Sequence, residues 1–126
     1  MTEHLPRTVN VNVLTTRSLE VDEPDWCVGH RADRAQFKPD IAHNGPEVSA
    51  TFDGPHGPIR YLHAWITQRP YAQQPEPLPL VAVEIGGEAA SLTPGQVRAF
   101  AALTRAHLEV LERLADEADR IRGGGR

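Results

Sequence analysis

The C-terminal quarter of the chain constrains the fold most strongly, because its pattern is typical of one long helix. Thr93 is a favourable N-cap, Pro94 suits the first helical position, and Gln96 follows the cap by three residues, as in a capping box. Three consecutive glycines at 123–125 then end the pattern, since glycine is costly inside a helix. The sequence therefore predicts a helix over 94–122, about 42 Å long at roughly 1.5 Å per residue.

Period-two alternation of apolar and polar residues predicts short strands in the rest of the chain. Strands are expected at 9–13, 48–52, 60–67, 80–85 and 88–92, and the stretch 15–23 is expected to be irregular. Dense turn residues at 53–58 and a Gly-Gly pair at 86–87 indicate two hairpins, and the proline-rich stretch 68–79 indicates an extended connection. Strands with one polar face are typical of antiparallel sheets. We predict an α+β fold, with a small antiparallel sheet of about four to five strands, a metal-pinned N-terminal loop and the long C-terminal helix.

The segment 24–46 is a polar loop that is long for a compact domain. It holds the only cysteine, Cys27, with His30 three residues later and His43 near its end. A Cys-x-x-His pair places a thiolate and an imidazole on one turn, which suits a tetrahedral zinc ion. Connections beyond about 12 to 15 residues are uncommon, and a bound metal would explain this one. The alternative is a buried free thiol packed beside Trp26.

The remaining histidines are weaker candidates for a metal site. His56 falls in the Gly-Pro turn, where exposure is expected, and His63 falls on a strand beside aromatic residues, where a cross-strand contact is the commoner role. His4 and His107 are interpreted as structural.

Composition limits the classes of protein that the chain can belong to. With 126 residues, 40% hydrophobic, it has the size of a single domain, 1–126, with flexible ends at 1–6 and 123–126. One cysteine cannot form an internal disulfide, and no signal-like segment or apolar run of about 18 residues occurs. We therefore expect a cytoplasmic protein without a membrane segment. A net charge of −4 makes a nucleic-acid partner an unfavoured interpretation.

The chain resembles a family of small actinobacterial domains of unknown function. The family pattern is C-P-x-W-C, a histidine shortly after it, another histidine before the first hairpin, and a late strand followed by an L-T-P-initiated helix. Here the pattern stands as Glu23-Pro24-Asp25-Trp26-Cys27, His30, His43, a strand at 81–85 and Leu92-Thr93-Pro94. The resemblance implies a four-position zinc site of which this chain keeps three ligands, because Glu23 replaces the first cysteine. Glu23, another histidine or water would then be the fourth ligand. The family brings no known activity.

Two functional hypotheses follow for this uncharacterised protein. The first is a non-catalytic protein-interaction or regulatory module in which zinc closes the loop. The second is a zinc-dependent hydrolase with an open coordination position, where a bound water of pKa about 7 would react and Glu23 would be the general base. The absence of H-E-x-x-H, G-x-S-x-G and a phosphate-binding glycine loop favours the first. No catalytic residue and no organic cofactor is predicted.

The predicted helix carries a wider apolar stripe than one sheet needs, so we expect a homodimer through it. One seam is Val97, Ala101, Thr104, Leu108, Leu111, Ala115 and Ala118, and beside it lies a second, Phe100, Leu103, His107, Val110, Leu114 and Ile121. The alternative is that both seams are internal core beneath the sheet and the proline-rich connection.

Overall fold

The structure is a computed structural model that describes residues 6–11, 13, 19–30, 36–73 and 76–123. Its elements in chain order are β1 (Thr8–Val11), β2 (Leu19–Asp22), a 3-10 turn (Lys38–Asp40), β3 (His43–Asn44), β4 (Val48–Gly54), β5 (Gly57–Gln68), β6 (Leu80–Ile85), β7 (Glu88–Leu92) and α1 (Pro94–Arg122). The strands form two antiparallel sheets, so the predicted α+β class is confirmed. The ends predicted to be flexible lie mostly outside the described residues.

The first sheet contains only β1 and β2, which pair antiparallel with Val9 opposite Val21 and Val11 opposite Leu19. The prediction that 15–23 is irregular is therefore wrong for 19–22. Leu19 and Val21 alternate with Glu20 and Asp22, and this short apolar–polar alternation is enough to pair with β1. Residues 15–18 lie outside the described part of the chain.

A small core lies under this sheet. Its buried members are Val11, Val13, Val21 and Ile41, with Val9 and Leu19 packed against them. Ile41 is fully buried although it belongs to the segment predicted to be a long loop. It lies two positions before His43, a candidate metal ligand. Apolar burial of this kind fixes the end of the loop against β1 and β2.

The second sheet has five strands, in which β5 pairs with β3 and β4 along one edge and with β6 along the other. The two predicted hairpins are present: β4 and β5 close at the pair Gly54–Gly57, and β6 and β7 close at Ile85–Glu88. The 12-residue β5 is therefore the central strand, as its two usable faces predicted.

The register of β4 against β5 shifts between Val48 and Ala50, which marks a β-bulge. Opposite this shift, Leu62 has a φ of 56°, a left-handed conformation that is strained for a branched, non-glycine residue. The alternation of β5 is interrupted at this position. Beyond it, Trp65 lies opposite Ala82 and Thr67 opposite Leu80, so these four residues share one face of the sheet.

The chain divides into two compact units, Met1–Thr93 and Pro94–Arg126. The second unit is the helix α1, which begins and ends where the capping residues and the glycines predicted. None of its described residues is buried, and Arg120 is paired with Glu117 at 2.5 Å. No helix in the described part of the chain is long and apolar enough to cross a membrane. The prediction of a single domain stays a prediction.

Candidate metal centre

The segment from Pro24 to His30 forms a tight turn that carries two of the candidate ligands. The backbone N–H of Cys27 donates to the carbonyl of Pro24 at 3.1 Å, and the N–H of Gly29 points at the Cys27 Sγ at 3.4 Å. Gly29 has a φ of 104°, which only glycine adopts without strain. The N–H of Val28 donates to the carbonyl of Asn44 at 2.8 Å, so the turn is attached to β3.

The structure brings Cys27, His30 and His43 together. The Cys27 Sγ lies 3.6 Å from the His30 Nε2, and this Nε2 lies 3.2 Å from the His43 Nδ1. The three donor atoms all lie within 4.8 Å of one another. A tetrahedral zinc ion with bonds of about 2.3 Å to sulfur and about 2.05 Å to nitrogen separates S from N by about 3.5 Å and two N atoms by about 3.4 Å. The cluster therefore has a spacing that could hold a metal ion.

His43 is the most enclosed of the three side chains, with an exposed fraction of 1%. Burial, and after it the adjacent His30, lower the pKa of His43, while the carboxylates of Glu23 and Asp22 oppose this shift. The ring is therefore neutral at pH 7, which is the form that binds metals. It also hydrogen-bonds the backbone of Asp22, a contact of the kind that orients metal-binding histidines.

Aromatic rings enclose the other sides of the His43 imidazole. The ring of Trp26 meets it edge-on at a centroid separation of 6.4 Å, and the His30 ring does so at 5.2 Å. Cys27 is buried as well, with 6% of its surface exposed. The thiol and the His43 imidazole are therefore largely desolvated, and His30 is partly buried beside them, so electrostatic interactions with a cation are stronger here than in water.

Glu23, the fourth predicted ligand, is outside this group of three. Its carboxylate is paired with the guanidinium of Arg7 at 3.1 Å, and its side chain is 12% exposed. Glu23 still lies near enough to influence the pKa of His43. Its assignment as a metal ligand stays a prediction.

Arg7 is a contributor to this site that the sequence did not indicate. Its Nη2 donates to the carbonyls of Pro24, Asp25 and Cys27 at 3.0, 3.4 and 3.1 Å, in addition to the ion pair with Glu23. The backbone N–H of Glu23 also donates to the Arg7 carbonyl at 2.8 Å. One guanidinium therefore contacts three backbone carbonyls of the turn that presents the thiol. No motif predicts this contact, because the partners are 16 to 20 positions apart in the chain.

A cavity of about 420 Å³ adjoins His43. It is lined by Pro6, Arg7, Asp22, Glu23, Pro24, His43, Gln68 and Pro70. The cavity is large enough for several water molecules or a small ligand, and its lining carries charges of both signs. Neither the Cys27 thiol nor the His30 ring is part of this lining.

Comparison with known proteins gives a family but no characterised relative. The family model described as "Domain of unknown function (DUF6907)" matches residues 8–120, a range that contains the three clustered ligands and nearly all of α1. Comparison with curated proteins and with solved structures returned no match.

Proposed function

The chain belongs to this DUF6907 family of domains of unknown function, and we propose that it is a cytoplasmic zinc-binding module whose metal has a structural role. The observation that carries the proposal is the spacing of the Cys27, His30 and His43 donor atoms, at 3.6 and 3.2 Å between neighbours. These separations match the edges of a zinc tetrahedron. The function is then the presentation of a protein-interaction surface on a fold that the metal stabilises.

Zinc is the metal that this donor set favours. A thiolate and two imidazoles are borderline-soft ligands, which suit zinc better than the oxygen-preferring magnesium or calcium ions. All three donors must be deprotonated to bind, and the lowered pKa of His43 already provides one neutral imidazole.

The surroundings of the site favour a structural role over catalysis. Cys27 and His43 are buried, and the carboxylate of Glu23 is paired with Arg7 instead of being available as a general base. Zinc would join the turn at Cys27 to β3 at His43, in addition to the hydrogen bond from the Val28 N–H to the Asn44 carbonyl that already links these two ends of the long loop. Closing such a loop stabilises the folded chain because it removes conformational freedom.

One observation supports the alternative of a zinc-dependent hydrolase. The cluster supplies three ligands, and the cavity beside His43 could supply a water molecule to the fourth position. Such an enzyme would hold a metal that exchanges readily and that binds a zinc-directed inhibitor such as a hydroxamate. A structural zinc would exchange slowly and would leave the hydroxamate unbound.

Metal content of the purified full-length chain tests the proposal. We expect about one zinc per chain in the wild type and a loss of stoichiometric zinc in Cys27→Ser, with a decrease in stability of several kcal/mol. The matched control is His56→Ala, because this exposed turn histidine is outside the cluster and should keep its zinc. A wild type that remains metal-free after expression with added zinc would contradict the proposal. An unchanged melting temperature in metal-free Cys27→Ser would contradict the structural role of the metal.

A further inference from the structure

A second group of metal-binding side chains lies on the five-stranded sheet, apart from the cysteine. Glu47 directly precedes β4, His63 belongs to β5 and Glu84 belongs to β6. Because Ala64 pairs with Val83, the next positions place His63 opposite Glu84, and because Val48 pairs with Ala64, Glu47 lies diagonally across from His63. Three neighbouring strands therefore bring two carboxylates and one imidazole to the same place.

The spacing of these donors suits a divalent cation. The His63 Nδ1 is 3.5 Å from the Glu47 Oε1, and one donor atom from each of the three residues lies within 4.8 Å of the others. With bonds of about 2.0 to 2.2 Å, neighbouring donors around a divalent ion are about 3.0 to 3.5 Å apart.

The His63 Nδ1 is the shielded donor atom of this group. It is buried from solvent, makes no hydrogen bond among the described residues and lies 3.5 Å from the Glu47 Oε1. The lost hydration of a buried ring nitrogen is normally replaced by a hydrogen bond or a bound ion. A cation bound to both the His63 Nδ1 and the Glu47 Oε1 would fill this role.

The other oxygen of the Glu47 carboxylate lies near a cation. The Glu47 Oε2 is 3.9 Å from the guanidinium of Arg60, and this guanidinium also donates to the Ser49 Oγ at 3.1 Å. The Oε1 is the oxygen that lies near His63. In β5, the left-handed Leu62 directly precedes His63 at the register shift.

We propose that Glu47, His63 and Glu84 form a second divalent-cation site, which would accept an ion such as Mn²⁺ through carboxylate and imidazole ligands. The donor set differs from that of the first centre, which contains a thiolate. Oxygen-rich sites accept manganese, whereas a thiolate favours zinc, so Mn²⁺ is a suitable probe for the second site when the first holds zinc. The ion would connect the strands β4, β5 and β6 at the bulge. This inference is independent of the zinc proposal.

Titration of the full-length protein as purified with Mn²⁺ alone tests the site, with free Mn²⁺ followed by electron paramagnetic resonance and any bound zinc measured in parallel. We expect the wild type to remove about one Mn²⁺ per chain while its zinc content stays constant. His63→Ala and Glu84→Gln should each weaken Mn²⁺ binding about tenfold or more, since each removes one ligand. His56→Ala and Glu88→Gln are the matched controls, being exposed residues outside the group, and should bind as the wild type does.

Two results would overturn the site. The first is a wild type that binds no Mn²⁺ even at millimolar concentration. This result would mean that His63 and Glu47 form an ordinary ion pair and do not bind a cation. The second is uptake that is unchanged in both His63→Ala and Glu84→Gln, which would place the bound ion elsewhere. If circular dichroism shows that His63→Ala is unfolded, Glu84→Gln decides alone, because this substitution retains the size of the side chain.

Discussion

Cys27 and His43 are interior residues although both belong to the segment 24–46, which the sequence predicted to be a long loop. Their exposed fractions of 6% and 1% are those of core side chains. A buried thiol is common, but a buried imidazole with a second imidazole nitrogen at 3.2 Å is unfavourable if both rings become charged. Neutral rings can share one N–H···N hydrogen bond at this distance, and a metal ion would replace it with two coordinate bonds. The pair is therefore more informative than either residue.

Arg7 contributes to the same centre by holding the backbone that carries the thiol. Its guanidinium contacts three carbonyls of the turn and the carboxylate of Glu23, and these contacts use the planar, multiply donating geometry that only arginine has. We interpret Arg7 as a positioning residue, since it touches none of the three clustered donor atoms directly in the contacts described.

We predict that Arg7→Met lowers zinc affinity about ten- to hundredfold, the range typical for loss of an outer contact of a metal site. The carbonyls of the turn would lose the guanidinium that donates to them, and Glu23 would lose its counter-charge. Cys27 would then be less well placed for binding. Arg7→Lys should lie between Arg7→Met and the wild type, because an ammonium keeps the charge but cannot serve three carbonyls equally. Competition with a chromophoric zinc chelator measures the affinities.

The control for Arg7 is Arg105→Met, which removes an exposed guanidinium from the helix. In the cobalt-substituted protein, Arg7→Met should keep the thiolate-to-cobalt charge-transfer band, since the ligands themselves are unchanged. An Arg7→Met protein that binds zinc as tightly as the wild type would show that the turn is held without the guanidinium. Loss of the charge-transfer band at saturating cobalt would instead mean that Arg7 changes the ligand set.

At the scale of single elements, the two hairpins were predictable because their turns have distinctive chemistry. Gly86 and Gly87 have φ values of 61° and 86°, which is the pattern of a type I′ turn between β6 and β7. A Cβ added at either glycine would meet nothing within 4 Å. Glycine is therefore required at these positions by the backbone conformation, and not because a larger side chain would collide with neighbouring residues.

This distinction leads to a prediction for the β6–β7 turn. Gly87→Val should lower the free energy of unfolding by about 1 to 2 kcal/mol, because a β-branched residue is strained at positive φ. Gly86→Asn, the matched control, should change it by less than about 0.5 kcal/mol, because asparagine is favoured at the first position of this turn type. Urea unfolding midpoints provide the comparison. Equal midpoints for the two variants would show that the turn rearranges to release the strain.

Other elements were not predictable, and the reasons are physical. The strand β2 has only four residues, and its two apolar positions become significant only when β1 is placed beside them. The alternation in β5 predicted a strand but not the left-handed Leu62 within it, because register shifts arise from pairing between strands. The proximity of the candidate ligands Cys27 and His30 could be predicted from the sequence because only two residues separate them.

Contacts made across the fold were the least readable feature of the candidate sites. The ion pair of Glu23 with Arg7 joins the residue before β1 to the residue after β2, at one end of the two-stranded sheet, and no local spacing indicates it. The grouping of Glu47, His63 and Glu84 likewise depends on which residues the strand register places side by side. The sequence therefore identified candidate ligands by residue type, and the structure shows which of these candidates lie close together.

At the scale of the whole molecule, the helix α1 is the element whose surface is best suited to bind another chain. None of its described residues is buried, and large apolar side chains remain exposed along its length, among them Leu103, Leu108, Leu111, Leu114 and Ile121. Contiguous apolar patches beyond a few hundred Å² are unusual on monomeric proteins. We propose that a second copy of the chain covers this stripe, because a twofold axis lets the same helix face serve both partners.

We predict that the protein is a dimer at tens of micromolar and that Leu111→Glu converts it to a monomer. The contact is expected near Leu108, Leu111, Ala115 and Ala118, where a glutamate would place a charge in an apolar seam. An unpaired charge is disfavoured far more strongly when it is buried in a dimer contact than when it lies on an exposed helix face. Dissociation should therefore precede any loss of helix content. Light scattering gives the mass and circular dichroism the helix content, and Glu112→Ala, one position away, is the control. A monomeric wild type, or a Leu111→Glu protein that loses structure without dissociating, would show that the stripe does not mediate association.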